Sequence, residues 1–252
     1  MLTFERQQMI LKLLEEKKVV KIQELVEETD ASESTIRRDL TELENSGHLK
    51  RVHGGASLLT RKTDEPTVEE KEAKNNEEKR AIGQYAASLV NDGDCLFIDA
   101  GTTTKALIEH LTNKDLVVVT NGLNIITELL KHGIKTYVTG GLVKEGTHAF
   151  IGRGAVDSLT NYQFDKAFIG TNGIHLLNGF STPDPEEAFI KKVAIQRANE
   201  PIVLADHTKF GDVSFAKIAR LHEAMIITSN QLESNVQKQY EEKTELKVVN
   251  IR

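Results

Sequence analysis

Cysteine is almost absent from this chain, with one residue, Cys95, among 252. A single thiol excludes an internal disulfide framework and any zinc or iron–sulfur site built on several cysteines. Its place in the apolar run Cys95-Leu96-Phe97-Ile98 reads as that of a small core residue rather than a reactive nucleophile. Long hydrophobic runs are missing too. No stretch approaches the ~20 apolar residues of a spanning helix, and the opening MLTFERQQMI is charged and amphipathic where a secretion signal would carry an apolar block. A cytoplasmic protein with no membrane partner is expected. The eight histidines, at 48, 53, 110, 132, 148, 175, 207 and 222, show neither a His-x-x-x-His pair nor an acid cluster beside them, so no metal and no cofactor is expected. Tandem repeats and low-complexity tracts are absent.

Basic charge is also in short supply. With 32 Lys and Arg against 38 Asp and Glu, the net charge is −6, which by itself speaks against nucleic acid. The deficit is uneven. Residues 1–62 hold 11 basic and 11 acidic side chains, so the remaining 21 and 27 carry the whole excess. What decides the matter is where Arg37, Arg38, Lys50, Arg51, Arg61 and Lys62 fall in the pattern. Of the residues present, 39% are hydrophobic and 28% charged, an ordinary globular balance, and the length suits two unequal domains.

Apolar residues Phe4, Met9, Ile10, Leu13 and Leu14 recur at three- and four-residue spacing and predict a first helix with one inward face. A short strand at Val19-Val20 precedes a second helix over about 22–28, with Ile22, Leu25 and Val26 inward. After the turn Thr29-Asp30-Ala31, Ser32 can cap a third helix whose stripe is Ile36, Leu40 and Leu43. Asn45-Ser46-Gly47 stops it, and 49–56, Leu-Lys-Arg-Val-His-Gly-Gly-Ala, reads as a hairpin or wing. These are the parts of a winged helix-turn-helix, whose third helix enters the major groove of DNA. Its outer arc carries Ser34, Thr35, Arg37, Arg38 and Thr41. Arginine can grip guanine bidentately, while hydroxyls such as that of Ser32 and the helix N-terminus suit phosphates. Lys50, Arg51 and His53 in the wing add backbone or minor-groove contacts.

Residues 58–76 are polar, include Pro66 and carry mixed charge, so a linker is expected between a DNA-binding domain at 1–57 and a second domain at 77–252. From residue 77 the pattern alternates helix with strands at 95–98, 116–119, 135–138, 166–169, 202–205, 225–227 and 246–249. Continuous Val, Ile and Leu strands separated by helices predict a Rossmann-like α/β fold with a parallel sheet covered on both faces. Ligands of such sheets sit beyond the carboxyl ends of the strands. There the chain places Asp99-Ala100-Gly101-Thr102-Thr103-Thr104, a turn opening a helix whose free amides can cradle a phosphate. Asn121, Gly140, Gly141, Gly170, Asn172 and Lys209 fall at the same edge. Asp99, Asn121, Glu187, Lys191 and Lys209 could bind sugar hydroxyls and assist with phosphate charge.

Two text segments carry a specific likeness. Ser32-x-x-Thr35-Ile36-Arg37-Arg38-Asp39-Leu40 and Arg51-Val52-His53-Gly54-Gly55-Ala56 resemble the hallmarks of the DeoR family of bacterial regulators at the same separation. The second domain follows that family in Asp99-Ala-Gly-Thr-Thr-Thr104, Val119-Thr-Asn-Gly122, Phe168-Ile-Gly-Thr-Asn-Gly173, Glu186-Glu-Ala188 with Lys191, and Leu204-Ala-Asp206 with Lys209-Phe-Gly211. The resemblance implies a repressor that binds operator DNA as a homo-oligomer. It also implies a sensor domain similar in fold to ribose-5-phosphate isomerase and the coenzyme A transferases. In it Arg37 and Arg38 would lie on the recognition helix, and Asp39 would orient an arginine from inside rather than read a base. Val19–Leu25, Ala31–Thr35 and Thr182–Ala188 look most like fructose-operon repressors of Gram-positive bacteria, which implies fructose 1-phosphate as effector.

An enzyme is the main rival reading. Asp99 or Glu187 could act as base and Lys191 or Lys209 could hold substrate charge, in the manner of a sugar-phosphate isomerase. No committed acid–base pair is visible, so no catalytic residue is assigned, and a DNA-binding module ahead of the domain makes regulation the simpler use of its ligand. Dinucleotide binding at Gly152-Arg153-Gly154 fails because Asp157 stands where a third glycine belongs.

Overall fold

The computed structural model describes residues 2–17, 19–52, 54–58, 62–112 and 115–251. The chain divides into two compact units, residues 1–61 and 62–252. In the first, α1 (Thr3–Lys17), β1 (Val19–Lys21), α2 (Ile22–Thr29) and α3 (Glu33–Asn45) are followed by the hairpin β2 (Leu49–Val52) and β3 (Gly55–Leu58). β1 joins the hairpin to make an antiparallel sheet in the order β1-β3-β2. This is a winged helix-turn-helix. Ser32 caps α3, its hydroxyl accepting from the Thr35 amide. Ile10, Leu14, Leu25, Ile36 and Leu40 are fully buried in the core, and each such side chain contributes about 1.5–3 kcal/mol.

The inward face of α1 differs from the one expected. Phe4 is 72% exposed and Met9 only half-buried, while the buried stripe is Arg6, Ile10 and Leu14. A four-residue spacing keeps these three on one face, and Phe4, two positions before Arg6, points nearly the opposite way. The arginine can replace an apolar residue there because a carboxylate meets it inside.

The second unit begins with α4 (Val68–Glu72) and α5 (Asn76–Ser88). The helix α4 lies within the stretch expected as linker and is closed by a reciprocal capping box between Thr67 and Glu70. Then come β4 (Cys95–Ile98), α6 (Thr102–Lys105), β5 (Val117–Thr120), α7 (Leu123–Lys131), β6 (Lys135–Val138), β7 (Leu142–Val143), β8 (Phe150–Ile151) and α8 (Arg153–Leu159). The chain continues through β9 (Phe164–Gly170), β10 (Gly173–His175), β11 (Gly179–Thr182), α9 (Pro185–Gln196), β12 (Ala198–Leu204) and β13 (Ala216–Ala219). It closes with β14 (Met225–Ser229), α10 (Ser234–Glu241) and β15 (Leu246–Val249).

Seven of these strands form one sheet in the order β15-β14-β12-β9-β4-β5-β6, all parallel. Successive side chains alternate between faces. Phe97, Ala167, Ile169, Val203 and Ile226 pack with α9, while Leu96, Ile98, Phe168, Ile202 and Ile227 pack with α5. From β4 the chain runs outward to β5 and β6, then returns to the other side of β4 through β9. The order therefore reverses between β4 and β9, and a parallel sheet opens a ligand crevice at that point. A smaller antiparallel sheet, β10-β11-β13, and the pair β7-β8 complete the unit. Among the described residues no helix is long and apolar enough to cross a membrane.

Gly83 fixes the approach of α5 to the turn after α6. A Cβ there would meet the Ala106 carbonyl carbon and oxygen at 2.5 Å. Gly83→Ala is expected to lower the stability of the second unit by about 1–3 kcal/mol through overpacking, read as a drop in its thermal midpoint. An unchanged midpoint would show that α5 and α6 move apart freely.

Candidate functional site

Two surfaces bring the sequence-read residues together, one in each unit. On α3, Ser34, Arg37 and Arg38 are exposed, and Thr35 and Thr41 are half-buried beside them. Arg37 pairs with Glu33 (2.6 Å) and Arg38 with Glu42 (3.3 Å), both one helical turn away. Such exposed pairs are worth only about 0.3–0.5 kcal/mol, so either arginine can leave its partner for a stronger anion. The wing lies on the same surface: Arg51 on β2 donates to the Thr41 hydroxyl (2.9 Å), which itself donates to the Arg37 carbonyl. Lys50 is exposed. At the start of the helix the Ser32 hydroxyl lies 3.0 Å from that of Ser34 and 2.9 Å from that of Thr35. His53 lies outside the described residues.

Asp39 is turned the other way. It is 2% exposed and accepts from Arg6 Nε (2.5 Å) and Nη2 (3.1 Å). Its partner is therefore the arginine of α1 and neither Arg37 nor Arg38. This fork joins α3 to α1 and fixes which arc of α3 faces outward. The Asp39 carboxylate, first among several causes, holds the Arg6 guanidinium above its already high ordinary pKa.

In the second unit the reversal point between β4 and β9 is occupied by charge. Asp99, just past β4, is fully buried, accepts from the Gly170 amide at the end of β9 (2.9 Å), and is ion-paired with Lys191 of α9. Its second oxygen, Oδ1, is buried with no hydrogen-bond partner among the described residues. Burial would depress the Lys191 ammonium, but Asp99 and Glu187 face it and hold it above its usual range. Glu187, buried on α9, accepts from Thr147 (2.6 Å) and Lys144 (3.1 Å). Against the pull of burial, Lys191, Thr147 and Lys144 keep it below the ordinary carboxylate range. Asn121 joins from the end of β5, its side-chain oxygen accepting from the Ala100 amide (2.9 Å).

The turn after Asp99 is shorter than the sequence suggests, since α6 spans only four residues. Gly101, Thr102 and Thr103 are half-buried in it. Thr104 differs from its expected role: its hydroxyl is buried and donates to the carbonyls of Asp99 (2.7 Å) and Gly101 (2.9 Å). Its one proton is thereby spent on closing the turn. Gly140 and Gly141, after β6, adopt φ of 70° and 104°, a region that favours glycine. Asn172 accepts from the Thr182 hydroxyl (3.0 Å), and Lys209 lies 3.8 Å from Asp206. None of these four is hydrogen-bonded to the Asp99–Lys191–Glu187 network among the described residues.

The sequence reading missed Lys144, which bonds Glu65 (2.5 Å), Asp184 (2.8 Å) and Glu187 (3.1 Å). Burial alone would lower its pKa, but the hydrogen bonds from Asp184 and Glu65 and the charge of Glu187 raise it instead. A cavity of about 470 Å³ opens beside it, lined in part by Thr63, Glu65, Thr147, Asp184 and Phe215, a size that holds a small metabolite. Asp184 had a visible signal: it caps α9, accepting from the Glu186 and Glu187 amides, with Pro185 next in the chain. Among the described residues one group, Glu78, Asp206 and His207, brings three donor atoms of metal-ligand type within 4.8 Å of one another. Glu78 already accepts from the His207 amide (2.7 Å) and the Ser229 hydroxyl (2.7 Å), with His207 Nδ1 at 2.9 Å. That carboxylate is satisfied by protein donors alone, so the group acts as a joint between α5 and the ends of β12 and β14.

Residues 6–62 match the DeoR-like helix-turn-helix domain and residues 74–231 the DeoR C terminal sensor domain. The chain is 50% identical to the uncharacterized HTH-type transcriptional regulator FruR of Bacillus subtilis (strain 168), over 99% of each chain. It is 33% identical to the HTH-type transcriptional regulator GlpR of Haloferax volcanii, over 96% of this chain and 95% of that one. It is 36% identical to the lactose phosphotransferase system repressor of Staphylococcus aureus, over 87% and 88%. Among solved structures, ribose 5-phosphate isomerase A of Methanocaldococcus jannaschii aligns over 54% of this chain and 55% of that one at 19% identity, with a TM-score of 0.42.

Proposed function

The chain belongs to the DeoR family of HTH-type transcriptional repressors, and from that premise we propose that it represses a sugar-catabolic operon under the control of a phosphorylated sugar, fructose 1-phosphate by preference. In this reading residues 1–57 bind double-stranded operator DNA and residues 77–252 sense the effector. Arg37 and Arg38 contact guanine edges in the major groove. Ser32, Ser34, Thr35 and Thr41 position α3 against phosphates, and Lys50, Arg51 and His53 extend the grip from the wing. A homo-oligomer reads two half-sites. The observation that carries the DNA reading is the outward arc of α3, which holds both arginines in weak pairs only one turn long.

The effector reading rests on Asp99, a fully buried carboxylate at the sheet's reversal point whose Oδ1 has no hydrogen-bond donor among the described residues. A sugar hydroxyl supplies one. Gly101, Thr102 and Thr103 then receive the phosphate, and Asn121, Glu187 and Lys191 shape the rest of the crevice. Gly140, Gly141, Gly170, Asn172 and Lys209 border it along the same sheet edge.

Retardation of the protein's own promoter DNA, with and without a panel of sugar phosphates, tests both parts. Arg37→Ala and Arg38→Ala are each expected to weaken operator binding by about 1–3 kcal/mol, or roughly 5- to 150-fold. Thr103→Ala should bind DNA normally and respond weakly to the effector. Retention of full operator affinity in the double arginine variant would overturn the DNA assignment, and a normal ligand response in Thr103→Ala would overturn the phosphate position.

A further inference from the structure

The segment that opens the second unit is fastened across the Lys144 cavity at several points. The Phe215 amide donates to the Lys62 carbonyl (3.0 Å), and the Val68 amide to the Gly146 carbonyl (3.0 Å). Lys105 of α6 pairs with Glu72 at 2.8 Å. Between these ties Glu65, its side chain only 10% exposed, bonds Lys71 through one oxygen (3.0 Å) and Lys144 through the other (2.5 Å).

Lys144 is saturated in this arrangement. An ammonium has three donors, and three carboxylates, Glu65, Asp184 and Glu187, take them. An anionic ligand can reach this lysine only by displacing one of the three. Asp184 is held as the cap of α9 by two amides, and Glu187 by Thr147 and the charge of Lys191. Glu65 sits on a short segment and has Lys71 as its only other ionic tie among the described residues. It is the carboxylate that yields at least cost.

We propose that Lys144 is an anion-binding side chain bordering the effector site and that Glu65 is its resident stand-in, expelled when an anionic oxygen of a ligand takes the same donor. The inference rests on the effector reading above and supplies the regulation of that site. Expulsion of Glu65 removes the side-chain tie among those that fasten residues 62–67, which begin directly after the first unit ends at residue 61. Ligand occupancy is thereby converted into freedom of the segment that carries the DNA-binding unit. Glu72 on Lys105 repeats the arrangement next to Thr102–Thr104.

Calorimetric titration of full-length wild type, Glu65→Gln, Glu70→Ala and Lys144→Met with fructose 1-phosphate, glucose 6-phosphate and inorganic phosphate tests this, with amide exchange of residues 62–72 followed in parallel. Removing a competitor that holds the donor most of the time should tighten phosphate binding by roughly an order of magnitude in Glu65→Gln. Lys144→Met should lose binding by a similar or larger factor. Both variants should exchange faster at the Val68 amide without ligand, as should wild type with it. Glu70→Ala, which removes the side-chain half of the α4 capping box and leaves Lys144 saturated, should loosen the segment without tightening binding. If Glu65→Gln binds within twofold of wild type while wild type binds a sugar phosphate, the stand-in is overturned and the effector reading survives. Tightening toward inorganic phosphate alone supports the stand-in and overturns the sugar as its ligand. Failure of wild type and Glu65→Gln alike to bind any of the three overturns both.

Discussion

Asp39→Ala is expected to abolish operator binding by unfolding the first unit, although the Asp39 carboxylate is bonded to Arg6 of α1 and not to the exposed arginines of α3. The substitution leaves the Arg6 guanidinium, largely covered at the rim of the core, without the carboxylate that accepts from two of its nitrogens. Breaking a buried ion pair by removing one partner costs about 3–5 kcal/mol. At roughly 0.05–0.15 kcal/mol per residue, a unit of this size has about 3–9 kcal/mol in total, and small domains lie toward the marginal end. The measurement is denaturant unfolding of the variant beside its promoter retardation: both should fail together. A double variant, Arg6→Met with Asp39→Leu, removes both charges and should recover much of the lost stability, because an apolar pair of similar volume carries no desolvation penalty. Loss of DNA binding with an unchanged unfolding midpoint would instead make Asp39 a direct reader of the operator.

Periodicity located α1, α2 and α3 and every strand of the parallel sheet, because continuous Val, Ile and Leu runs between helices have few other uses. It assigned Phe4 to the core, since pattern alone does not reveal that an arginine can occupy an inward position when a carboxylate 33 residues away awaits it. The small sheet β10-β11-β13 was invisible for a related reason. Its strands have three or four residues, and β11 buries Ser181 and Thr182 rather than an alternating apolar set. α4 had its capping-box signature in Thr67 and Glu70, but its mixed charges read as linker.

In the candidate site, Asp99, Gly170 and Lys191 were legible because each stands at a strand end or on the helix that covers it. The fold joins them directly. Lys144 and Glu65 were not, since their pairing spans 79 residues and neither carries a motif. That the Thr104 hydroxyl closes the turn was not legible either, because a Gly-Thr-Thr-Thr string does not disclose which hydroxyl turns back onto the backbone. The grouping of Glu78, Asp206 and His207 likewise arises only from the meeting of α5 with β12 and β14.

Lys191→Met is expected to remove the effector response and to destabilise the second unit by about 3–5 kcal/mol near neutral pH. Asp99 is fully buried and Glu187 nearly so, and Lys191 faces both carboxylates. Acidification should narrow the gap from wild type. In wild type Glu187 is held below its unfolded value of 4.5, so its contribution is present above that pH and is lost as pH falls through the folded pKa. Burial pushes the Asp99 carboxyl upward, with the Lys191 ammonium pulling against it. Without the ammonium Asp99 rises further and Glu187 loses part of what holds it down, and a group whose folded pKa exceeds its unfolded one contributes most when protonated. The folded variant therefore binds protons that folded wild type does not, and the difference in stability must shrink as pH drops from 7 toward about 4. Urea midpoints across that range, measured for both proteins, check the sign. Parallel curves would mean that Asp99, Glu187 and Lys191 share no charge, and the crevice would then have to recognise its ligand by hydrogen bonds alone.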